Sequence, residues 1–106
     1  MDIKSKVIVI TGAARGLGAA MAKKLAGKGA KLALVDLDHS SVDEAVNACI
    51  AAGAAEAKGY AINVSDETQV EALFGQVAED LGGLDGLINN AGITRDALMI
   101  KHKDGE

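Results

Sequence analysis

Thr11-Gly12-Ala13-Ala14-Arg15-Gly16-Leu17-Gly18 is the stretch on which the fold turns. It follows the β-branched run at residues 7–10 and leads into Leu17, Met21 and Leu25, which recur at helical spacing. A continuous apolar run of that kind suits a strand covered on both faces. A glycine-rich turn between such a strand and a helix is where an open α/β sheet binds the pyrophosphate of a dinucleotide. Gly12 can make the tight turn out of the strand. Gly16 lets backbone approach phosphate oxygens with no Cβ in the way, and Gly18 lets the helix pack close to the sheet. Free N–H groups at the helix start, the positive end of its dipole, supply the anion site.

The glycine spacing is G-x3-G-x-G, which differs from the G-x-G-x-x-G of the standard dinucleotide fingerprint. A P-loop would need Lys and Ser/Thr after its last glycine, and Ala19 and Ala20 stand there instead. The rival reading is a purely structural turn.

Outward from the turn, glycines 27 and 29 end the first helix, and Lys31-Leu-Ala-Leu-Val35 forms a second strand that stops at Asp36. Ser41-Val-Asp-Glu44 has the form of a capping box. Behind it Val42, Ala45, Val46, Cys49 and Ile50 make one apolar helix face, and Gly53 is a natural stop. A third strand is expected at 59–63. Ser65 or Asp66 can cap a third helix with the stripe Val70, Leu73, Phe74, Val77 and Leu81. Gly82 and Gly83 close that helix, and Leu87-Ile88 centres a fourth strand. The order βαβαβαβ with short connections predicts α/β architecture: a Rossmann-type, doubly wound parallel sheet with right-handed crossovers.

The 106 residues allow one domain at most. Hydrophobic residues at 49% and charged residues at 25% are ordinary for a globular protein. Aromatic residues at 2% and 13 glycines favour small aliphatic packing with close backbone approaches. The net charge of −4, with scattered Lys and Arg, points away from nucleic acid. Cys49 alone excludes an internal disulfide, and neither it nor His39 and His102 has metal-ligand spacing. The N-terminus carries only a four-residue apolar run, unlike a signal peptide, and no stretch approaches the roughly 20 apolar residues that span a bilayer. The expectation is a cytoplasmic protein without membrane partners.

Two motifs carry a family resemblance. Thr11–Gly18 resembles the T-G-x3-G-x-G signature of short-chain dehydrogenases/reductases, and Asn89-Asn90-Ala91-Gly92 resembles their N-N-A-G motif. Ile93-Thr94-Arg95-Asp96, with Asn63-Val64, is most similar to the 3-oxoacyl-(acyl-carrier-protein) reductases within that family. The resemblance implies that residues 1–106 are the N-terminal, cofactor-binding part of a single dehydrogenase/reductase domain. It implies hydride transfer between a nicotinamide cofactor and a carbonyl or alcohol carbon, the substrate being an acyl thioester or another small carbonyl compound. A homotetramer and the strand order 3-2-1-4 at the start of the sheet are also implied. The family's catalytic Tyr-x3-Lys pair is absent: Tyr60 is the only tyrosine, and Val64 stands four residues on. No catalytic residue is assigned within the chain.

The expected cofactor-binding set is Gly12, Arg15, Gly16, Leu17, Gly18, Asp36, Leu37, Asn63, Val64, Asn90, Ala91 and Gly92. Asp36, closing the second strand, can accept hydrogen bonds from the adenosine ribose hydroxyls; its other reading is a solvated strand-end acid. Leu37 would lie beside it near the adenine. By resemblance, Asn63 and Val64 would contact the adenine, though Asn63 could instead satisfy its own turn. Asn90, Ala91 and Gly92 would pass close to the nicotinamide ribose. Arg15 could face a phosphate or simply lie on the surface. Asp36 favours NAD, since its carboxylate repels the 2′-phosphate of NADP, whereas Arg15 keeps NADP possible. A carbonyl reductase or alcohol dehydrogenase of other specificity, and a non-catalytic nucleotide-binding module, are the alternatives.

Overall fold

The computed structural model describes residues 3–90. Strands β1 (Val7–Thr11), β2 (Lys31–Asp36), β3 (Glu56–Ala61) and β4 (Gly86–Asn89) alternate with helices α1 (Gly16–Ala26), α2 (His39–Ala52) and α3 (Glu67–Leu81). The strands form one sheet in the order β3-β2-β1-β4, every pair parallel. Both the expected architecture and the expected strand order are met.

Alternation along the central strands divides the core in two. Ile10, Leu32 and Leu34 face one way and pack with Ala22 and Ala26 of α1 and Cys49 of α2. Val7, Val9, Ala33 and Val35 face the other way and pack with Leu73, Val77 and Leu81 of α3. Helices therefore cover both faces, which is why β1 and β2 are apolar without interruption. Each fully buried Ile or Leu side chain contributes about 1.5–3 kcal/mol.

Four local expectations are corrected. The buried face of α1 is Gly18, Ala22 and Ala26, while Leu17 is 64% exposed and Met21 and Leu25 are only partly covered. Small residues win that face because the helix sits too close to the turn and sheet for larger ones. Helix α2 begins at His39, so the Ser41–Glu44 capping box does not form. Asp38 is the N-cap instead, its carboxylate accepting from the Ser41 hydroxyl at 2.6 Å and the Ser40 hydroxyl at 3.5 Å. The Ser41 bond holds the Asp38 carboxyl below its ordinary range. Ile50, placed on the apolar face of α2, is 55% exposed, whereas Val42 and Cys49 are buried.

The fourth correction concerns β3, which runs from Glu56 and ends at Ala61 rather than spanning 59–63. Glu56 pairs with Lys31 in register, and their side chains lie 3.7 Å apart. Beyond Ala61 the Ile62 N–H still reaches the Asp36 carbonyl, but the Asn63 N–H turns to the side chain of Gln69 in α3. Inside the strand, a Cβ at Gly59 would collide with Val42 of α2.

The helix ends follow their expected residues. Asp66 caps α3, accepting from the Thr68 and Gln69 N–H groups. Gly53 and Gly82 end α2 and α3 with φ of 119° and 87°, in the left-handed region that favours glycine.

Candidate functional site

In the order β3-β2-β1-β4 the chain moves outward from β1 to β3, then returns to the other side of β1. The carboxyl ends of β1 and β4 flank that switch point, where open α/β sheets leave a crevice. The glycine turn lies directly above it.

The turn holds a strained path that glycine permits. Gly12 and Gly16 have φ of 64° and 61°, where a side chain costs about 1–2 kcal/mol. A Cβ on Gly16 would meet nothing within 4 Å, so the space before that backbone is open. Gly18 is the opposite case: its Cβ would collide with the Gly12 carbonyl and come within 2.7 Å of Asn90 Nδ2. Arg15 is the N-cap of α1, with φ −158° and no side-chain cap, and the first turn carries no acidic residue. The N–H groups opening α1 thus receive neither a capping oxygen from Arg15 nor a local carboxylate, as suits an anion ligand.

Four side chains tie together the turn and the strand ends beside it. Asp36 Oδ2 accepts from the Ala14 N–H at 3.0 Å, and Oδ1 accepts from the Leu37 N–H at 2.8 Å. A carboxylate has about four acceptor positions, so Asp36 retains capacity for two more donors. Asn90 Nδ2 donates to the Gly12 carbonyl at 3.2 Å, and the Thr11 hydroxyl donates to Asn89 Oδ1 at 2.7 Å. The two asparagines therefore pin β4 to β1 and its turn. At the opposite end, Asp85 accepts from the Val7 N–H and donates its own N–H to the Val7 carbonyl, both at 2.8 Å. That reciprocal pair sets the register in which Ile8 faces Gly86.

A groove of about 410 Å³ opens at this edge, lined by Gly12, Arg15, Asp36, Leu37, Asn63, Val64, Ser65 and Asn90. Its size falls within the range of small-molecule sites. Ser65 is the lining residue that the sequence reading did not place in the site. The signal was present: an Asn two residues before a Ser can close a turn on the Ser N–H, and Asn63 Oδ1 accepts from Ser65 at 2.9 Å. Gly16, Leu17 and Gly18 do not line the groove: Gly18 is buried beneath the turn and the Leu17 side chain points largely into solvent. Ala91 and Gly92 lie outside the described residues, as do the tetrapeptide at 93–96 and His102.

Other reactive groups are engaged elsewhere. The Tyr60 hydroxyl donates to Asp80 Oδ2 at 2.7 Å, joining β3 to α3. Burial and the Asp80 carboxylate push its pKa well above the ordinary tyrosine value. Cys49 is buried, and burial raises its thiol pKa. His39 lies 3.5 Å from Asp43 on the outside of α2. Among the described residues no His, Cys, Asp and Glu side chains gather into a metal-binding group, and no helix is long and apolar enough to cross a membrane.

Comparison with known proteins agrees with this geometry. Residues 6–106 match the sequence profile of the short chain dehydrogenases. The 3-oxoacyl-(acyl-carrier-protein) reductase FabG of Vibrio cholerae is 38% identical over 106 residues, all of this chain and 42% of the relative. The FabG reductase of Haemophilus influenzae is 36% identical over 104 residues, 98% of this chain and 41% of the relative. The chain thus spans about two fifths of the length of these relatives. An NAD+-bound xylitol dehydrogenase superposes with a TM-score of 0.81 at 34% identity, covering 87% of this chain and 35% of that one. A short chain dehydrogenase/reductase from Burkholderia phymatum in complex with NAD superposes with a TM-score of 0.76 at 40% identity, over 82% and 31%.

Proposed function

Because this chain belongs to the short-chain dehydrogenase family, we propose that it is the cofactor-binding part of an oxidoreductase that reduces a 3-oxoacyl thioester to the 3-hydroxyacyl form. The observation that carries the reading is the groove at the switch point, which gathers Gly12, Arg15, Asp36, Leu37, Asn63, Val64 and Asn90 from four separate segments. A bound nicotinamide dinucleotide supplies the hydride; the residues of this chain bind it and orient it.

Gly16 and the opening N–H groups of α1, where no Cβ intrudes, would hold the pyrophosphate. The Asp36 carboxylate, already held by Ala14 and Leu37, accepts from the adenosine ribose hydroxyls. Leu37, Asn63 and Val64 flank the base, and Asn90 leads the chain with Ala91 and Gly92 towards the nicotinamide ribose. Asp36 makes NAD(H) the preferred cofactor, and Arg15 keeps NADP(H) within reach. Tyr60 is not proposed as the proton-transfer group, since its hydroxyl is committed to Asp80. The thioester substrate is supported by the FabG relatives, and the complete enzyme is proposed to assemble as a homotetramer.

The test is steady-state oxidation of NADH by the full-length protein with a 3-oxoacyl thioester, set against xylulose and simple ketones. A kcat/KM for the thioester at least about tenfold above the others is expected. Equal or better turnover of a sugar or ketone would move the protein elsewhere in the family. Cofactor binding without turnover of any carbonyl compound would make it a binding module.

A further inference from the structure

Helices α1 and α2 lie side by side on one face of the sheet, but not equally close along their length. At their carboxyl ends the backbones nearly touch. A Cβ at Gly53 would stand 3.3 Å from the Ala26 carbonyl, and one at Gly27 3.8 Å from that of Ala52. Further up, beside the glycine turn, the helices leave a cleft of about 190 Å³ between them. Ala19 and Lys23 of α1 form one wall, and Glu44, Ala45, Ala48 and Cys49 of α2 form the other. Spacings of one and four residues put each set on a single helix face. Ala14 of the turn closes the upper end, and the cleft shares no residue with the groove at the switch point.

The lining combines a small apolar floor with two charges. Larger side chains would close the gap, so the alanines at 19, 45 and 48 keep it open. Cys49 is 1% exposed, and its thiol has no hydrogen-bond partner among the described residues. Lys23 and Glu44 stand exposed on opposite walls, and neither has an ion pair or hydrogen bond among the described residues. Lys23 is near enough for its charge to oppose the upward push of burial on the Cys49 thiol. The volume falls below the roughly 300–1,000 Å³ of drug-sized sites, so a ligand here has few heavy atoms. A lone anion would be repelled by Glu44 and a lone cation by Lys23.

We propose that this cleft is a second small-molecule site, which takes a zwitterion with a short aliphatic body, of the class of a small α-amino acid. Its carboxylate pairs with Lys23 and its ammonium with Glu44. Its aliphatic group lies on the alanines and Cys49. None of these residues lines the dinucleotide groove, so binding at the two places can fail separately.

The experiment is a ligand-detected NMR titration of the full-length protein with valine, isobutylamine and 3-methylbutanoate. The three share a branched body and differ in charge. Valine should bind about three- to fivefold more tightly than either of the others, the effect of one exposed ion pair. Glu44→Gln should make valine no better than 3-methylbutanoate, and Lys23→Gln should make it no better than isobutylamine. Ala48→Leu should fill the cleft and abolish valine binding, with unchanged NAD affinity and no loss of melting temperature. If that variant folds poorly, the two glutamine variants decide, since they alter exposed side chains only. No binding of valine, equal affinity for all three compounds, or valine binding that survives Ala48→Leu overturns the inference and leaves the dinucleotide reading standing.

Discussion

The Asp36 carboxylate accepts a hydrogen bond from the Ala14 N–H at 3.0 Å, tying the end of β2 to the middle of the glycine turn. The residue assigned to the ribose thus also shapes the turn assigned to the phosphates. Asp36→Ser should accordingly do two things in the full-length enzyme. The kcat/KM ratio of NADH over NADPH should fall by about tenfold or more. Two unit charges about 4 Å apart interact by roughly 4 kcal/mol at an effective dielectric near 20, and even a third of that is tenfold in affinity. NADH itself should also bind more weakly, because the turn has lost an anchor. A wild-type preference for NADPH that the serine variant leaves unchanged would separate Asp36 from the ribose.

Gly16 and Gly18 should fail in different ways. The Cβ of Gly16→Val meets no protein atom within 4 Å, but the variant imposes a branched side chain on a φ of 61°. It should lower stability by about 1–2 kcal/mol and block dinucleotide binding measured by calorimetry. Gly18→Ala drives a methyl group into the Gly12 carbonyl and Asn90. It should cost about 1–3 kcal/mol as an overpacked contact, seen as a lower melting temperature. If Gly16→Val bound NAD as the wild type does, the phosphate site would have to lie elsewhere.

Asp85 is expected to matter for folding alone. Its carboxylate takes the N–H of Val7, which is 3% exposed. Asp85→Ala leaves that donor without its side-chain acceptor and should cost about 1–3 kcal/mol in a denaturant titration. The affinity for NAD should be unaffected, because the pair lies at the end of the sheet away from the groove.

The Tyr60–Asp80 pair predicts pH dependence at both extremes. Tyr60 titrates above its ordinary value in the folded protein, so the native state holds its proton more tightly than the unfolded chain does. The stability it contributes is complete below about pH 10 and declines as pH rises beyond it. Asp80 titrates below its ordinary value, chiefly through the Tyr60 hydrogen bond. Its contribution is present above about pH 4 and is lost as pH falls through the depressed folded value. Tyr60→Phe should flatten both limbs of a stability-against-pH curve. An unaltered alkaline limb would mean that another group governs it.

The free edge of β4 leads to a prediction about the 106-residue segment taken alone. Among the described residues β4 pairs only with β1, and its four residues are all partly exposed. A strand edge without a partner among the described residues, with apolar Leu87 and Ile88, invites association. The isolated segment should sediment as oligomers or aggregates, whereas a soluble monomer with a sharp cooperative melt would contradict this.

The architecture was legible in the sequence because glycine turns and β-branched runs are punctuation that tertiary packing seldom overrides. Most of the groove was legible too, as its residues stand where strands end. What escaped reading was local competition. Leu17, Met21 and Leu25 had the right period for the buried face of α1, but period does not disclose how close a helix lies to its sheet, and only Gly18, Ala22 and Ala26 fit there. Ser41 and Glu44 formed a plausible cap, yet Asp38 stood three residues earlier with a carboxylate for both serine hydroxyls. The reach of Gln69 to Asn63 joins residues on different elements, and nothing in their spacing specifies it.

The seam of Gly18, Ala22 and Ala26 also has a thermal meaning. Glycine and alanine have no rotamers to freeze, so docking α1 costs almost no side-chain entropy. By the same token the seam contains no side chain that can change its rotamer and let the helix slide. The start of α1 is positioned by backbone-to-backbone distances, which warming alters little while the fold survives. The amides at the start of α1 therefore keep their aim across the whole temperature range of the native state, and loss of that aim should coincide with unfolding instead of preceding it.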